Sequence, residues 1–341
     1  MKFLFLGAGA IGTYVGGSLA AAGDEVTFIE RPETAAVIAE HGLKVHTADT
    51  TRVVRDVTVH GSAAEALAHG PYDIGVFALK SFDTQTALDE LVATGYEVPT
   101  ILSLQNGVDN EPTIAATLGA DKVIAGTVAT AVSKPGVGEV VEEKHRGIGV
   151  ALGHPLAQPL VEALDRAGLS GKAFDDAPSM KWSKLLTNLT GNATSAILDE
   201  TVAELFADKR SYTIEVAVLA ECLAVMKAKG YRVVDLPGTP VRALAWATKL
   251  PRFIAQPALT KALGAGRGDK MPSFHIDLHG GRGRTEVSFL NGAVARGGEQ
   301  AGVPTPVNAL LTDTLEALSA GELPLDAYRH DPDALLARLA R

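Results

Sequence analysis

Cysteine is almost absent: Cys222 is the single one in 341 residues. No intrachain disulfide can form and no cysteine cluster can hold a metal, which fits a reducing, cytoplasmic location. Basic charge is also in short supply. Lys and Arg number 31 against 40 Asp and Glu, a net charge of −9, so nucleic acid is not an expected partner. No apolar run reaches the roughly 18 residues that a membrane-spanning helix needs. The sequence has no Gly-X-Y period, no internal repeat, no G-x-S-x-G elbow and no P-loop.

What is plentiful is glycine, at 35 residues, in a chain that is 46% hydrophobic and 21% charged. At about 150 residues per domain, two domains are expected. The charge divides unevenly. Residues 1–175 hold 12 Lys/Arg and 22 Asp/Glu, whereas residues 176–341 hold 19 and 18.

The N-terminus superficially resembles a signal peptide, with Lys2, an apolar run and then small residues. Glycines at 7, 9, 12, 16 and 17 would interrupt the apolar helix such a peptide needs. The segment reads better as strand KFLFL, a small-residue helix over 10–22, and strand DEVTFIE. The turn between strand and helix is Gly7-Ala8-Gly9-Ala10-Ile11-Gly12, a G-x-G-x-x-G. Gly7 permits the tight turn, Gly9 lets backbone approach a pyrophosphate, and Gly12 lets helix and strand pack closely. The helix N-terminus then presents free N–H groups and a positive dipole end to the anion.

Glu30, 18 residues after Gly12, stands where an acid would bond the adenosine ribose of NAD. Arg31 stands beside it, where a guanidinium would pair with the 2′-phosphate of NADP. A carboxylate and a phosphate repel if both face the ribose, so Arg31 decides for NADP only if Glu30 turns away.

Alternating strands and helices continue to about residue 170, with strands at 2–6, 25–30, 53–59, 73–79, 100–104, 122–132, 138–142 and 148–152. Further helices are expected at 32–41, 83–94 and 110–119. After about residue 175 helical periodicity takes over, at 179–197, 209–229, 239–249, 285–301 and 305–319. The fold class is therefore α/β: an N-terminal Rossmann-type doubly wound sheet over 1–174, then an all-α domain over 175–341. The stretch from Pro237 to Ser273 is hard to read, and 263–272 reads as a glycine-rich loop.

Several polar groups sit in chemically suggestive places. Leu79-Lys80-Ser81 and Gln105-Asn106-Gly107 each follow a buried strand, where open α/β sheets bind ligands. Lys184, Asn188 and Asn192 are spaced i, i+4, i+8 and share one helical face. Ser273 and Asp277 come later. Thr285-Glu286 opens a helix, so Glu286 has a plain role as a capping acid and a more interesting one in a site. His275 and His279 are also i, i+4, but no third ligand has suitable local spacing, so no metal site is expected.

Taken in order, these pieces resemble the ketopantoate reductase family along nearly the whole chain. The matching residues are GAGAIG at 7–12, Arg31, Leu79-Lys80, QNG at 105–107, K-W-x-K-L-x-x-N-x-x-x-N from Lys181 to Asn192, S-x-x-x-D from Ser273 to Asp277, and R-T-E-V-x-x-L-N-G from Arg284 to Gly292. The resemblance implies NADPH-dependent reduction of ketopantoate to (R)-pantoate, toward pantothenate and coenzyme A. It implies Lys184 as general acid and Glu286 as the carboxylate that orients substrate and borders the cofactor. Asn106, Asn188, Asn192 and Ser273 would bind substrate, Lys80 and Asn106 the nicotinamide end, and Arg31 the 2′-phosphate. It also implies a homodimer. Three departures stand out: Glu30 beside Arg31, one extra residue between Asp277 and Glu286, and the basic GAGRGDKMP stretch. They keep open an NADH-linked reductase of another 2-keto acid and, more remotely, a nucleotide-binding protein without catalysis.

The chemistry of the residues is consistent with that. Reducing a 2-keto acid takes a hydride, which a nicotinamide supplies, and a proton delivered where alkoxide charge develops. A lysine does both electrostatic and proton-transfer work there. Amides and a hydroxyl suit a carboxylate and hydroxyls.

Overall fold

A computed structural model describes residues 1–267, 271–281 and 283–339. The chain divides into two compact units, one of Met1–Lys181 with Asp235–Thr239, the other of Trp182–Val234 with Pro240–Arg341.

The first unit holds twelve strands: β1 (Lys2–Leu6), β2 (Glu25–Ile29), β3 (Leu43–His46), β4 (Thr51–Val54), β5 (Thr58–His60), β6 (Ile74–Phe77), β7 (Thr100–Ser103), β8 (Val123–Val128), β9 (Ala131–Gly136), β10 (Glu139–Lys144), β11 (Ile148–Ala151) and β12 (Gly171–Phe174). Eight of them form one sheet in the order β12-β11-β8-β7-β6-β1-β2-β5. From β5 to β8 all neighbours are parallel, and only the β8–β11 pairing is antiparallel. Strand order reverses between β1 and β6, which makes the carboxyl end of β1 a topological switch point.

Side-chain alternation along β1 explains why the sheet is covered on both faces. Phe3 and Phe5 enter one core with Phe28, Val76 and Leu102, while Leu4 and Leu6 enter another with Phe77, Leu88 and Ile114. The Rossmann-type expectation therefore holds.

The strand expected at 138–142 is β10, antiparallel to β9, and it belongs not to the large sheet but to a second one, β4-β3-β10-β9. The expected strand 53–59 is really two strands, β4 in this small sheet and β5 in the large one. The expected strand 122–132 divides in the same way, into β8 and β9. The small sheet is pinned to the helix Ala10–Ala21 by the Tyr14 hydroxyl, which donates to the Glu142 carboxylate. Burial, and then Glu142, push that phenol's pKa well above its usual value.

The second unit is helical, and among the described residues it has no strand. Two expectations need correction. The single helix over 179–197 is two helices, Ala177–Leu189 and Asn192–Leu198, separated where Gly191 adopts φ +66°. That left-handed conformation is easy for glycine and cannot continue a right-handed helix. The helix over 285–301 is a 3-10 turn, Val287–Phe289, offset at Leu290 from the helix Asn291–Ala301. The stretch that resisted reading contains a helix, Arg252–Arg267, with Pro257 inside it. Part of the expected 263–272 loop is thus helical, and residues 268–270 lie outside the described residues.

Candidate active site

The turn after β1 has the shape its glycines predict. Gly7 sits at φ +91°. A Cβ on Gly12 would lie 2.1 Å from the Gly7 carbonyl oxygen, and one on Gly16 would lie 2.5 Å from the Phe28 ring. These contacts are how the helix comes so close to β1 and β2. Gly9 differs, because a Cβ there would meet nothing within 4 Å. Its surroundings are open on the side where a ligand would approach.

Gly9 is also the N-cap of the helix Ala10–Ala21, with no side chain capping the first turn and no acid in it. The N–H groups and dipole end are therefore left to an anion, and the turn fits a dinucleotide pyrophosphate. Ala8, Ala10 and Ile11 supply the intervening backbone. Lys134 on β9, to which the sequence reading gave no role, adds a cation here: its Nζ donates to the Ala8 carbonyl at 3.0 Å.

Glu30 follows β2 and does not swing away from the turn. Its carboxylate accepts hydrogen bonds from the backbone N–H of Ala8 and from that of Arg31, the latter at 3.1 Å. Arg31 is exposed and stands at the N-cap position of the helix Pro32–His41, with no capping bond from its side chain.

Two more loops open at the carboxyl ends of β6 and β7, in line with the turn after β1. They are laced together. The Gln105 amide donates to the Leu79 carbonyl at 3.3 Å and to Thr84 Oγ1 at 2.8 Å. Ser81 Oγ and the Asn110 amide both donate to the Asn106 carbonyl, at 3.0 and 2.7 Å. Asn106 thus has a fixed backbone and an exposed side chain, followed by Gly107 at φ +87°. Lys80 is half-buried at the start of the 3-10 turn Ser81–Asp83.

Behind these loops lies Lys181, buried at 4% exposure. Its Nζ donates to the Gln105 and Gly126 carbonyls at 2.8 and 3.2 Å and pairs with Glu111 at 2.8 Å. Sequence reasoning gave it no role. The available signal was a lysine at a helical position whose neighbours, Met180 and Trp182, are both core residues.

In the second unit Lys184 and Asn188 lie one turn apart on the helix ending at Leu189, both half-buried. Asn192 does not continue their helix. It begins the next one, after the Gly191 break. Glu215, fully buried on the helix Lys209–Ala228, fixes that break by accepting the Gly191 N–H at 2.6 Å.

Asn192 meets Ser273 across 81 residues of sequence at 3.4 Å, and its Oδ1 also accepts the Phe274 N–H at 3.0 Å. Glu286 is buried at 5% exposure and precedes the 3-10 turn without capping it. The plain capping role is therefore not the one it plays. The two histidines expected to lack a third metal ligand have one nearby, Asp199, 76 residues before His275.

Known proteins resemble this chain along most of its length. The family model for ketopantoate reductase PanE/ApbA matches residues 3–152, and that for its C-terminal domain matches 176–319. The 2-dehydropantoate 2-reductase of Pyrococcus horikoshii is 28% identical over 326 residues, covering 93% of this chain and 97% of the relative. That of Lactococcus lactis is 26% identical over 328 residues, 93% and 97%. Among solved structures, a PanE/ApbA family ketopantoate reductase from Ralstonia eutropha JMP134 superposes with TM-score 0.79 at 28% identity, covering 94% of this chain and 99% of that one. A D-mandelate dehydrogenase solved with NADH and anilino(oxo)acetate shares the fold at TM-score 0.74 and 22% identity, covering 94% and 99%. The chain is an oxidoreductase and belongs to the ketopantoate reductase family.

Proposed function

We propose that this chain reduces 2-dehydropantoate (ketopantoate) to (R)-pantoate with NADPH, in the cytoplasm, as a homodimer and as a step toward pantothenate and coenzyme A. Residues 1–174 take the dinucleotide, and residues 175–341 supply the groups that hold a small 2-keto acid. The observation that carries this reading is the Asn192–Ser273 contact. It pairs an amide and a hydroxyl, both suited to a carboxylate or hydroxyl, from two distant family-matched segments.

When bound, the nicotinamide supplies the hydride to the keto carbon. Lys184 protonates the carbonyl oxygen and stabilises the alkoxide charge as it develops. Glu286 accepts a hydrogen bond from a substrate hydroxyl and favours the charged lysine. Asn188, Asn192 and Ser273 donate to the substrate carboxylate and hydroxyls. Asn106 and Lys80 hold the nicotinamide end, Gly7 to Gly12 the pyrophosphate, and Arg31 the 2′-phosphate. The test is to follow NADPH and NADH absorbance with ketopantoate. Oxidation of NADPH supports the assignment, and no oxidation of either cofactor sinks it.

One observation favours a second reading, an NADH-linked reductase of another 2-keto acid. The Glu30 carboxylate is held at the glycine-rich turn by the Ala8 and Arg31 N–H groups. A carboxylate there accepts hydrogen bonds from ribose hydroxyls and repels a 2′-phosphate. Activity with NADH on branched or aromatic 2-keto acids, and none on ketopantoate, would establish it.

A further inference from the structure

His275 and His279 occupy successive turns of the helix Ser273–His279, and their rings stack at 4.1 Å between centroids and 20° between planes. No role in the reaction falls to either. Asp199 reaches them from the end of the helix Asn192–Leu198, where it holds the left-handed conformation at φ +55°. Its Oδ1 lies 2.7 Å from His275 Nε2. One donor atom from each of the three side chains falls within 4.8 Å of the other two. We propose that Asp199, His275 and His279 form a divalent transition-metal site, best matched to zinc, that clamps the helix Asn192–Leu198 to the helix Ser273–His279.

The donor chemistry selects the class of ion. Two imidazoles and one carboxylate suit zinc and its first-row neighbours, whereas magnesium and calcium prefer oxygen donors throughout. Zinc bonds of about 2.0–2.2 Å to nitrogen and oxygen put tetrahedral ligand atoms about 3.3–3.5 Å apart. The three donor atoms, all within 4.8 Å of one another, must draw together to reach that spacing.

The outer contacts already have the pattern of a metal site. His279 Nε2 lies 3.1 Å from the Ala196 carbonyl oxygen. A carbonyl only accepts, so Nε2 carries the proton and Nδ1 is left with the lone pair for a metal. A ligating histidine whose other nitrogen donates to a backbone carbonyl is the usual second-layer arrangement. Arg329 Nε holds Asp199 Oδ2 at 3.1 Å, leaving Oδ1 as a single-oxygen ligand. Metal at His275 Nε2 requires the tautomer that carries its proton on Nδ1, so the bound cation replaces the hydrogen bond between His275 Nε2 and Asp199 Oδ1. His279 is exposed, and water completes the tetrahedron there.

The clamp has a mechanical consequence. The same two helices carry Asn192 and Ser273 at their first turns, joined through the Asn192 Oδ1 bond to the Phe274 N–H. Metal at the far end fixes both ends of the pair. The site stands independently of the reaction proposed above.

The test uses the full-length chain, stripped with a chelator and dialysed. Zinc is titrated by calorimetry, and cobalt(II) is followed by its visible spectrum. The expected result is one equivalent bound at micromolar affinity or tighter, tetrahedral cobalt bands, and a higher melting temperature with zinc. His275→Ala and His279→Ala should each weaken binding by at least about tenfold. Asp199→Asn keeps a hydrogen-bonding side chain but loses the anion, and it should weaken binding likewise if an alanine variant fails to fold. Absence of saturable binding, or equal binding by wild type and folded variants, overturns the proposal.

Discussion

Lys181 Nζ lies 2.8 Å from the Gln105 carbonyl oxygen, so a buried ammonium holds the backbone of the loop whose next residue is Asn106. The Gln105 side chain in turn holds the loop after β6 through Leu79 and Thr84. One lysine therefore supports both loops at the carboxyl ends of β6 and β7. Its charge is matched by Glu111 at 2.8 Å.

Lys181→Met keeps much of the side chain's volume but leaves Glu111 without its cation and two carbonyls without their donor. Breaking one half of a buried ion pair costs about 3 kcal/mol or more. Urea denaturation should show a loss of unfolding free energy of that size. The dinucleotide KM should rise as the 105–107 loop loosens. A stability within about 0.5 kcal/mol of wild type, typical of surface changes, would show that Lys181 does not carry this load.

Gly9 and Gly12 separate the ligand's needs from the fold's. Gly12→Ala puts a Cβ 2.1 Å from the Gly7 carbonyl oxygen, so the turn must open and stability should fall by about 1–3 kcal/mol. Gly9→Ala meets no atom within 4 Å and leaves stability within about 1 kcal/mol. It should nevertheless raise the dinucleotide Kd, because the methyl occupies ligand space. Denaturation and NAD(P)H fluorescence titration of both variants check this, and unchanged affinity in Gly9→Ala would remove the pyrophosphate from this turn.

The glycine-rich turn and the large sheet are legible in sequence because the signals that specify them are local. Glycine spacing answers to backbone sterics, and apolar runs such as Phe3 to Leu6 answer to burial on two faces. The small sheet is hidden because β3 and β4 are four residues each and β4 is mostly exposed. Nothing in an interval of ordinary propensity separates β4 from β5, which pair with different neighbours.

The helix break at Gly191 is hidden for another reason. A glycine within a helical period is tolerated, and only the packed structure, through Glu215 and the φ of +66°, makes it a stop. The Lys184–Asn188 stripe was thus readable, while the place of Asn192 beside Ser273 depended on a contact 81 residues long. Asp199 escaped in the same way, since a search for ligands by local spacing cannot see across 76 residues.

Glu30 and Arg31 should respond in opposite directions. Arg31→Ala removes the candidate partner of a 2′-phosphate, so the KM for NADPH should rise, by about tenfold for one charge-assisted contact of about 1.5 kcal/mol, and NADH should change little. Glu30→Gln removes the repulsive charge while keeping an oxygen to accept the Ala8 N–H, so NADPH should improve relative to NADH. Steady-state kinetics with both cofactors decides. Equal effects on the two cofactors would mean that neither residue reads the phosphate.

Lys184 and Glu286 are assigned different parts of the chemistry, and kinetics can tell them apart. Lys184→Ala removes a proton donor that matters mainly in the transition state, so kcat should fall by about 100-fold or more while the dinucleotide Kd holds. Glu286→Gln keeps the shape and a hydrogen-bonding oxygen but loses the charge that favours a protonated lysine. It should raise the keto-acid KM and move the alkaline limb of the pH–rate profile, where the general acid loses its proton, to lower pH, with a smaller loss of kcat. Lys184→Ala should unfold close to wild type, since Lys184 is only half-buried. Near-normal turnover in Lys184→Ala would remove the general-acid assignment, and an unmoved pH profile in Glu286→Gln would confine that carboxylate to packing.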